Sequence, residues 1–292
     1  NDGYLERYGG IRYFTCDSTE GRGVCYRTQE ESCAAGCCGI SGGCKLKMSP
    51  AALDLRSCKE VTVSNCAFKQ LGAWGIGLKH GTSDSQIVRS VFSDLSGGAV
   101  YIGNVNETRT QDPLAEGVPS PQPSNITVAD NIIEDVSVEF KGSSGLHVFS
   151  ALDTAIMHNQ MRDIGYTAIT FNWPCPQNES YSRNMTMQGN DVANYSTWGT
   201  DGGAVHTLGF CHDCVMDRNY FHDTPCCGSK VTYIDSASSG YLTQNHVVDN
   251  CGDALWLYYQ QGCGPSAAGG RGCPWDPKFQ TYDGCNATNH SK

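Results

Sequence analysis

The chain has 292 residues, 17% of them charged, with a formal net charge of −10, 34 glycines and 17 cysteines. That acidity argues against a nucleic-acid partner, which needs a basic groove to replace phosphate counterions, and no apolar run approaches the roughly 18 residues of a membrane span. Sparse charge with abundant glycine suits a turn-rich β architecture better than a helical bundle.

Residues 1–50 carry Cys16, Cys25, Cys33, Cys37, Cys38 and Cys44 among many glycines and show no repeat. They read as a Cys-rich, disulfide-stapled cap, since the open end of a strand array presents unpaired backbone groups that would template association. From 51 to 260 a unit recurs. It closes on Asn, any residue, an apolar residue, any residue and usually Asp. The copies are Asn131-Ile132-Ile133-Glu134-Asp135, Asn159-Gln160-Met161-Arg162-Asp163, Asn219-Tyr220-Phe221-His222-Asp223 and Asn245-His246-Val247-Val248-Asp249. Asn190-Asp191-Val192-Ala193-Asn194 is a degenerate copy, and earlier versions start at Cys66 and Ser90. A period of roughly 25 to 30 residues is that of a solenoid. Short β-branched runs such as Val61-Thr62-Val63, Ile126-Thr127-Val128 and Val231-Thr232-Tyr233-Ile234 read as its strands. The expected fold is an all-β parallel β-helix of about eight coils, roughly 40 Å long at about 4.8 Å per coil, with the asparagines stacked as a hydrogen-bonded ladder.

In chain order, the first coil turns Leu53, Leu55, Val61, Val63 and Phe68 inward, and the second Ile76, Leu78, Ile87, Val88 and Phe92. The third starts at Gly97 and is interrupted from about 104 to 124 by a proline-rich stretch that cannot join a sheet ladder. The fourth uses Leu146, Val148, Ile156 and Met161. The fifth starts at Thr167 and is broken by a second loop at 174–183. The sixth holds Asp201, the seventh runs from Lys230 to Cys251, and the eighth contains Leu255 to Tyr259. Residues 261–292 turn to Gly, Pro and Cys and read as a C-terminal tail or second cap.

Eight cysteines from Cys16 to Cys66 are expected to close on one another; nine from Cys175 to Cys285 leave one for a free thiol or an interchain bridge. Seven Asn-x-Ser/Thr sequons, at Asn106, Asn125, Asn178, Asn184, Asn194, Asn286 and Asn289, join the cysteines in pointing to the secretory route and an extracellular or cell-surface location. For Cys211-His212-Asp213-Cys214 a disulfide is a better account than zinc in such a compartment. No Asp cluster offers a calcium site, so neither a metal nor a cofactor is expected.

With these phrases laid out, the stretch from about Ala52 to Tyr259 resembles the right-handed parallel β-helix proteins of the pectate-lyase-like superfamily, and most of all their β-helix glycoside hydrolases of α-L-fucosidase and xylanase type. The carrying motif is Asp201-Gly202-Gly203-Ala204-Val205-His206-Thr207-Leu208-Gly209, followed one coil later by Tyr233-Ile234-Asp235-Ser236. Ser236 stands where such proteins often have Glu. The resemblance implies hydrolysis of a polysaccharide or other glycan, with Asp201 and Asp235 as the two carboxyl groups that cleavage of a glycosidic bond requires. An Asp capping a glycine turn is the plainer account of each. Alternation also places His147, Trp173, His206, Tyr233, Trp256 and Tyr258 on the outer face, as sugar-stacking rings or as ladders that stabilise the solenoid, and His206 is placed to orient a carboxylate. Two rivals remain. One is a noncatalytic structural glycoprotein of an extracellular coat or filament, self-associating end to end or through an interchain disulfide; the other is a sugar-binding adhesin.

Overall fold

The computed structural model describes residues 50–103, 122–140, 142–172, 182–197, 202–224, 230–235, 238–251 and the backbone of 255–259. The expected cap (apart from Pro50), both interrupting loops over most of their length and the C-terminal tail lie outside the described residues.

Three parallel sheets wind around one core. The first sheet stacks β1 (Ala51–Arg56), β4 (Trp74–Lys79), β7 (Val100–Ile102), β10 (Leu146–Val148), β13 (Ile169–Phe171), β16 (Gly203–Thr207), β19 (Lys230–Ile234) and β22 (Leu255–Tyr259). The second stacks β2 (Thr62–Ser64), β5 (Ser83–Val88), β8 (Ser124–Ala129), β11 (Ala155–Met157), β14 (Thr186–Gln188), β17 (Phe210–Asp217) and β20 (Ser239–Gln244). The third stacks β3 (Ala67–Leu71), β6 (Val91–Leu95), β9 (Ile132–Val136), β12 (Gln160–Ile164), β15 (Asp191–Ala193), β18 (Tyr220–His222) and β21 (Val247–Asp249). Each strand pairs with its equivalent one coil away, which is the connectivity of a parallel β-helix.

Because pairing is in register, equivalent side chains fall into files. Ile76, Val100, Leu146, Ile169 and Val205 form one inward file, Ile87, Val128, Ile156, Met187 and Met216 a second, and Phe92, Ile133, Met161, Val192 and Phe221 a third. All of them are buried in the common core, each contributing about 1.5–3 kcal/mol of apolar transfer. In the first coil the inward residues Leu53, Leu55, Val61 and Phe68 are only partly buried against this core. Among the described residues no helix is long and apolar enough to cross a membrane.

The asparagine ladder runs through the turn between the second and third sheets. Asn131 donates to Asn159 Oδ1 from both its backbone N–H (3.1 Å) and its Nδ2 (3.0 Å), Asn159 repeats this on Asn190, and Asn190 on Asn219. Each Nδ2 also donates to a backbone carbonyl one coil back, Asn159 to Val128 at 2.9 Å for example. Ser90 continues the column by donating its backbone N–H to Asn131 Oδ1, and its own Oγ accepts the Cys66 N–H at 3.2 Å. Asn245 does not belong to it. The residue opposite Asn219 is His246, whose Nδ1 accepts the Asn219 N–H at 3.2 Å. Asn245 instead takes the preceding left-handed position of the turn (φ 56°), which Arg89, Asp130, His158 and Arg218 hold in other coils, and its Nδ2 donates to Asp217.

The cysteine expectation needs one correction. Cys58 and Cys66 are free thiols, so the first eight do not all close on one another; each sulfur faces a carbonyl two residues back, at 3.3 Å. Cys211 and Cys214 are joined as a disulfide, and Cys251 is free and buried.

Replacing Asn159 with Ala strips Asn131 of its acceptor and Val128 of its donor inside the core. We expect Asn159→Ala to destabilise the fold by at least about 3 kcal/mol in urea unfolding; an unchanged midpoint would rule the ladder out as a stabilising element.

A second expectation concerns pH. Burial holds the His246 pKa down at about 4, against an upward pull from Asp217. Between about pH 6.5, the ordinary histidine value, and about 4 the unfolded chain takes up a proton that the folded chain refuses, so stability falls as pH drops through that window. Buried His147, also pushed well below its usual value by burial and by His206, adds to the same trend. His222 opposes it. Although burial lowers its pKa, hydrogen bonds to Asp223 (2.8 Å) and Asp191 (2.7 Å) outweigh this and raise it, so its contribution is complete at low pH and lost as pH rises through the raised value. In His246→Asn, the stability difference between pH 7 and pH 5 is expected to shrink by about 2 kcal/mol relative to wild type, read from urea unfolding at both pH values.

Candidate functional site

On the outer face of the first sheet, register aligns Asp54, Gly77, Tyr101, His147, Thr170, His206, Tyr233 and Tyr258 in one file. Four of the expected ring positions, His147, His206, Tyr233 and Tyr258, therefore do share a line. None of the first three is exposed. Tyr101 and His206 are fully buried, and His147 and Tyr233 are 2% and 3% exposed, so they are not a bare platform for sugar. Instead they pack on neighbours. His147 stacks on Phe149 (3.9 Å between ring centroids) and His206 on Tyr233 (4.2 Å, interplanar 9°). The Lys79 ammonium lies 4.8 Å from the Tyr101 ring centroid and pairs with Asp54 at 3.1 Å. Lys230 sits over Tyr233 at 4.3 Å.

The next outer file begins one step beyond the strand ends, and it contains Asp235. Its backbone N–H donates to the Thr207 carbonyl (3.1 Å) and its carbonyl accepts from Ser238 (2.9 Å), so its position is set by the coil before and the turn after. The side chain keeps 15% of its surface open to solvent. Behind it, Asp235 Oδ2 lies 3.2 Å from His206 Nε2, and His206 Nδ1 lies 3.2 Å from the Tyr166 hydroxyl. Carboxylate, imidazole and phenol thus form one hydrogen-bonded chain from the surface inward, with His206 fully buried and Tyr166 7% exposed. Such a chain fixes the orientation of a single solvent-facing carboxyl group.

The glycines of the Asp-Gly-Gly phrase are explained by close approach. A Cβ on Gly202 would stand 2.8 Å from Ser196 Oγ and 3.0 Å from the Tyr166 ring, and one on Gly203 would meet the Lys230 carbonyl at 2.7 Å. The backbone next to Asp201 is therefore packed directly on the phenol that ends the chain of contacts. Asp201 itself lies outside the described residues, as do Trp173 and the sequons at Asn106, Asn178, Asn286 and Asn289. Trp256 and Tyr258 lie on β22, where only the backbone is described.

Asp235 and His206, both named from the sequence, lie in contact here; the sequence reading named neither Tyr166 nor Lys230 as neighbours of that pair. Tyr166 lies between β12 and β13, outside the strand pattern, and its contact crosses 40 residues to His206. Among the described residues no group of three or more His, Cys, Asp or Glu is placed to hold a metal ion. At Cys211 and Cys214 the sulfurs are spent on each other.

No family model matches this sequence, and no curated protein matches it. Among solved structures it is similar to one titled "Glycoside hydrolase", at 15% identity and a TM-score of 0.60 over 80% of this chain and 42% of the other. The fold is that of the parallel β-helix class. The chain spans less than half the length of that glycoside hydrolase. An alginate lyase from Paenibacillus sp. str. FPU-7 superposes over 73% of this chain and 78% of its own at 10% identity, with a TM-score of 0.41, too loose to carry an argument.

Proposed function

We propose that this chain is a secreted, N-glycosylated, carbohydrate-active β-helix protein of glycoside-hydrolase type that acts on an extracellular or cell-wall polysaccharide, with Asp235 and Asp201 as its two carboxyl groups. The observation that carries the reading is Asp235: a carboxyl group on the outer margin of the first sheet, still open to solvent and backed by the buried imidazole of His206. Likeness in fold to a structure titled "Glycoside hydrolase" supports it. So does the Asp-Gly-Gly backbone packed against Tyr166, which brings the residue after Asp201 to the far end of the same chain of contacts. Tyr233 and His206 serve as the packed floor of the site, and the remaining rings, Trp173, Trp256 and Tyr258 with His147, would supply contacts to sugar or to that floor. Exposed Asn125 and Asn184 and half-buried Asn194 are the described positions for N-linked glycan.

Specific observations favour a second reading, a structural subunit of an extracellular coat or filament. The Cys66 thiol is free and exposed, and the inward residues of the first coil are only partly buried, which suits an interchain disulfide and end-to-end contact. Hydrolysis separates the two readings.

Asp235→Asn and Asp201→Asn are each expected to lower the release of reducing sugar from wall polysaccharide by about 10²- to 10⁴-fold while leaving the unfolding midpoint near wild type. Equal release by wild type and both variants, or none by wild type, would end the hydrolase reading; retained polysaccharide binding without release would leave a sugar-binding adhesin.

A further inference from the structure

We propose that His222 is a charged clasp on the outer face of the third sheet, and that its deprotonation frees the last strand of that sheet, β21, and uncovers the Cys251 thiol. Such a clasp lies on a different sheet from Asp235 and is independent of any hydrolytic activity.

Both ring nitrogens of His222 meet a carboxylate: Nε2 lies 2.7 Å from Asp191 Oδ1 and Nδ1 lies 2.8 Å from Asp223 Oδ2. An ionised carboxylate only accepts, and a neutral imidazole carries a single N–H, so a neutral ring would aim a lone pair at one of the two. An imidazolium satisfies both. Its ring stacks on Tyr220 (4.1 Å between centroids, interplanar 11°), and the face of a phenol ring attracts a cation. The Tyr220 hydroxyl is in turn hydrogen-bonded to Asp249.

The elements packed around the ring bring charge of one sign. β15 contributes Asp191, the turn after β18 contributes Asp223, and β21 contributes Asp249, the register partner of His222. In the other direction the same file holds Ala193 and then Arg162, whose guanidinium is taken up by Glu134 at 2.7 Å. Three carboxylates and one imidazolium thus share the patch. Asp191 and Asp223 keep 44% and 61% of their side-chain surface exposed, so water screens part of the interaction. Burial lowers the His222 pKa, but the hydrogen bonds to Asp223 and Asp191 outweigh it and hold the ring above its ordinary value. Tyr220 and Cys251 are also pushed up from theirs, first of all by burial, so the ring is the member of this patch that titrates first as pH rises from neutrality.

The clasp reaches β21 by two routes. Asp223 turns Oδ2 to the ring and with Oδ1 accepts Asn250 Nδ2 at 2.6 Å, while Tyr220 holds Asp249. Little else fixes this strand, because it is three residues long, Val247 is 58% exposed and Val248 is only partly buried. Removing the ring proton leaves the carboxylates on β15, on the turn and on β21 without their shared counter-charge. Cys251 lies two residues beyond β21, buried, with Sγ 3.5 Å from the Phe221 carbonyl of β18 and 3.4 Å from that of Asp249. Parting β18 from β21 therefore opens it to solvent. A raised pKa gives a closure that is complete below about pH 6.5 and is lost as pH rises through the raised value.

A pH titration of the full chain tests this, with the His222 ring followed by ¹⁵N NMR and assigned by its loss in His222→Gln. The ring is expected to titrate with a midpoint above about 6.5. Docking of β21 is read from hydrogen exchange at the amides of Val247, Asp223 and Thr224, which donate to the carbonyls of Asn219, Asp249 and Asn250; the Gln160 amide, on the Asn131 carbonyl, is the reference. Across the ring's titration, local opening at the three amides is expected to rise about tenfold for each unit by which the midpoint exceeds 6.5, with Gln160 unchanged. Above the midpoint, N-ethylmaleimide is expected to label Cys251 faster in wild type than in His222→Lys, which keeps its charge, as mapped by mass spectrometry. His222→Gln, neutral throughout, is expected to lose the pH step in exchange. A midpoint at or below 6.5, opening that does not change across the titration, the same step in His222→Gln, or equal labelling of wild type and His222→Lys each overturns the clasp. If His222→Gln does not fold, the wild-type titration and the labelling comparison decide.

Discussion

The constraint on which the rest of this structure depends is register: each coil contributes one residue to each file, and a slip by one would turn every inward side chain outward. The asparagine column enforces it. An Asn at the turn between the second and third sheets satisfies a backbone N–H and a side-chain N–H of the coil before it with one oxygen, and a carbonyl one coil back with its own nitrogen. A misaligned coil would leave three such groups unsatisfied in a buried turn, at about 1–3 kcal/mol each. That fixes the phase even across insertions. Ser90 and Asn131 are 41 residues apart, against 28 for Asn131 and Asn159, yet the same bond forms. The extra chain leaves after β7 and returns at β8, between the first and second sheets, so the files on either side continue unbroken.

The repeated phrase of the sequence has a physical meaning at both ends. Its Asn is the ladder position, and its closing Asp is a left-handed corner after the third-sheet strand: Asp94, Asp135, Asp163 and Asp223 all have φ between 51° and 56° except Asp223 at 47°. Asp and Asn tolerate that conformation best among residues with a Cβ. They also bond across coils there, as Asn194 does to Asp163 (2.6 Å) and Asn250 to Asp223 (2.6 Å). The same device recurs before the second-sheet strands, where Asn125 reaches Asp84 and Asn184 reaches Asp153, each at 2.8 Å. All three described sequon asparagines, Asn125, Asn184 and Asn194, thus bond to an Asp one coil away.

Legibility in the sequence followed from how local the cause was. Strand existence, the eight first-sheet rungs and the inward residues of the fourth coil could be read because apolar alternation and turn residues are local signals. The last ladder position could not. Asn245 and Asn250 both suit a left-handed corner, and with Asp249 between them the letters fit two frames; pairing of Tyr220 with Val247 chooses the one that puts His246 on the column. Tyr166 was unreadable for a different reason, since its partner is set by stacking of coils and not by neighbours in the chain. Burial was the third difficulty. Alternation tells which face a side chain takes, not whether that face is covered.

That last point moves the site. The ring file on the first sheet, from Tyr101 through His147 and Thr170 to Tyr233, is buried along its length, and the adjoining file is buried at Lys79, Phe149, Asn172 and Leu208. Past exposed Arg56 at its first rung, that second file is next open to solvent at Asp235. A long sugar chain lying on stacked rings is therefore not what this surface offers among the described residues; it offers a carboxyl group at the margin of a packed polar layer. Packing a layer of His, Tyr and Thr is worthwhile only if its polar atoms are matched, and the match at Asp235, through His206 to Tyr166, spans three coils: Tyr166 precedes β13, His206 lies on β16 and Asp235 follows β19. Register is what holds these three at 3.2 Å contacts. The ladder between the second and third sheets and the carboxyl group at the edge of the first are consequences of the same alignment.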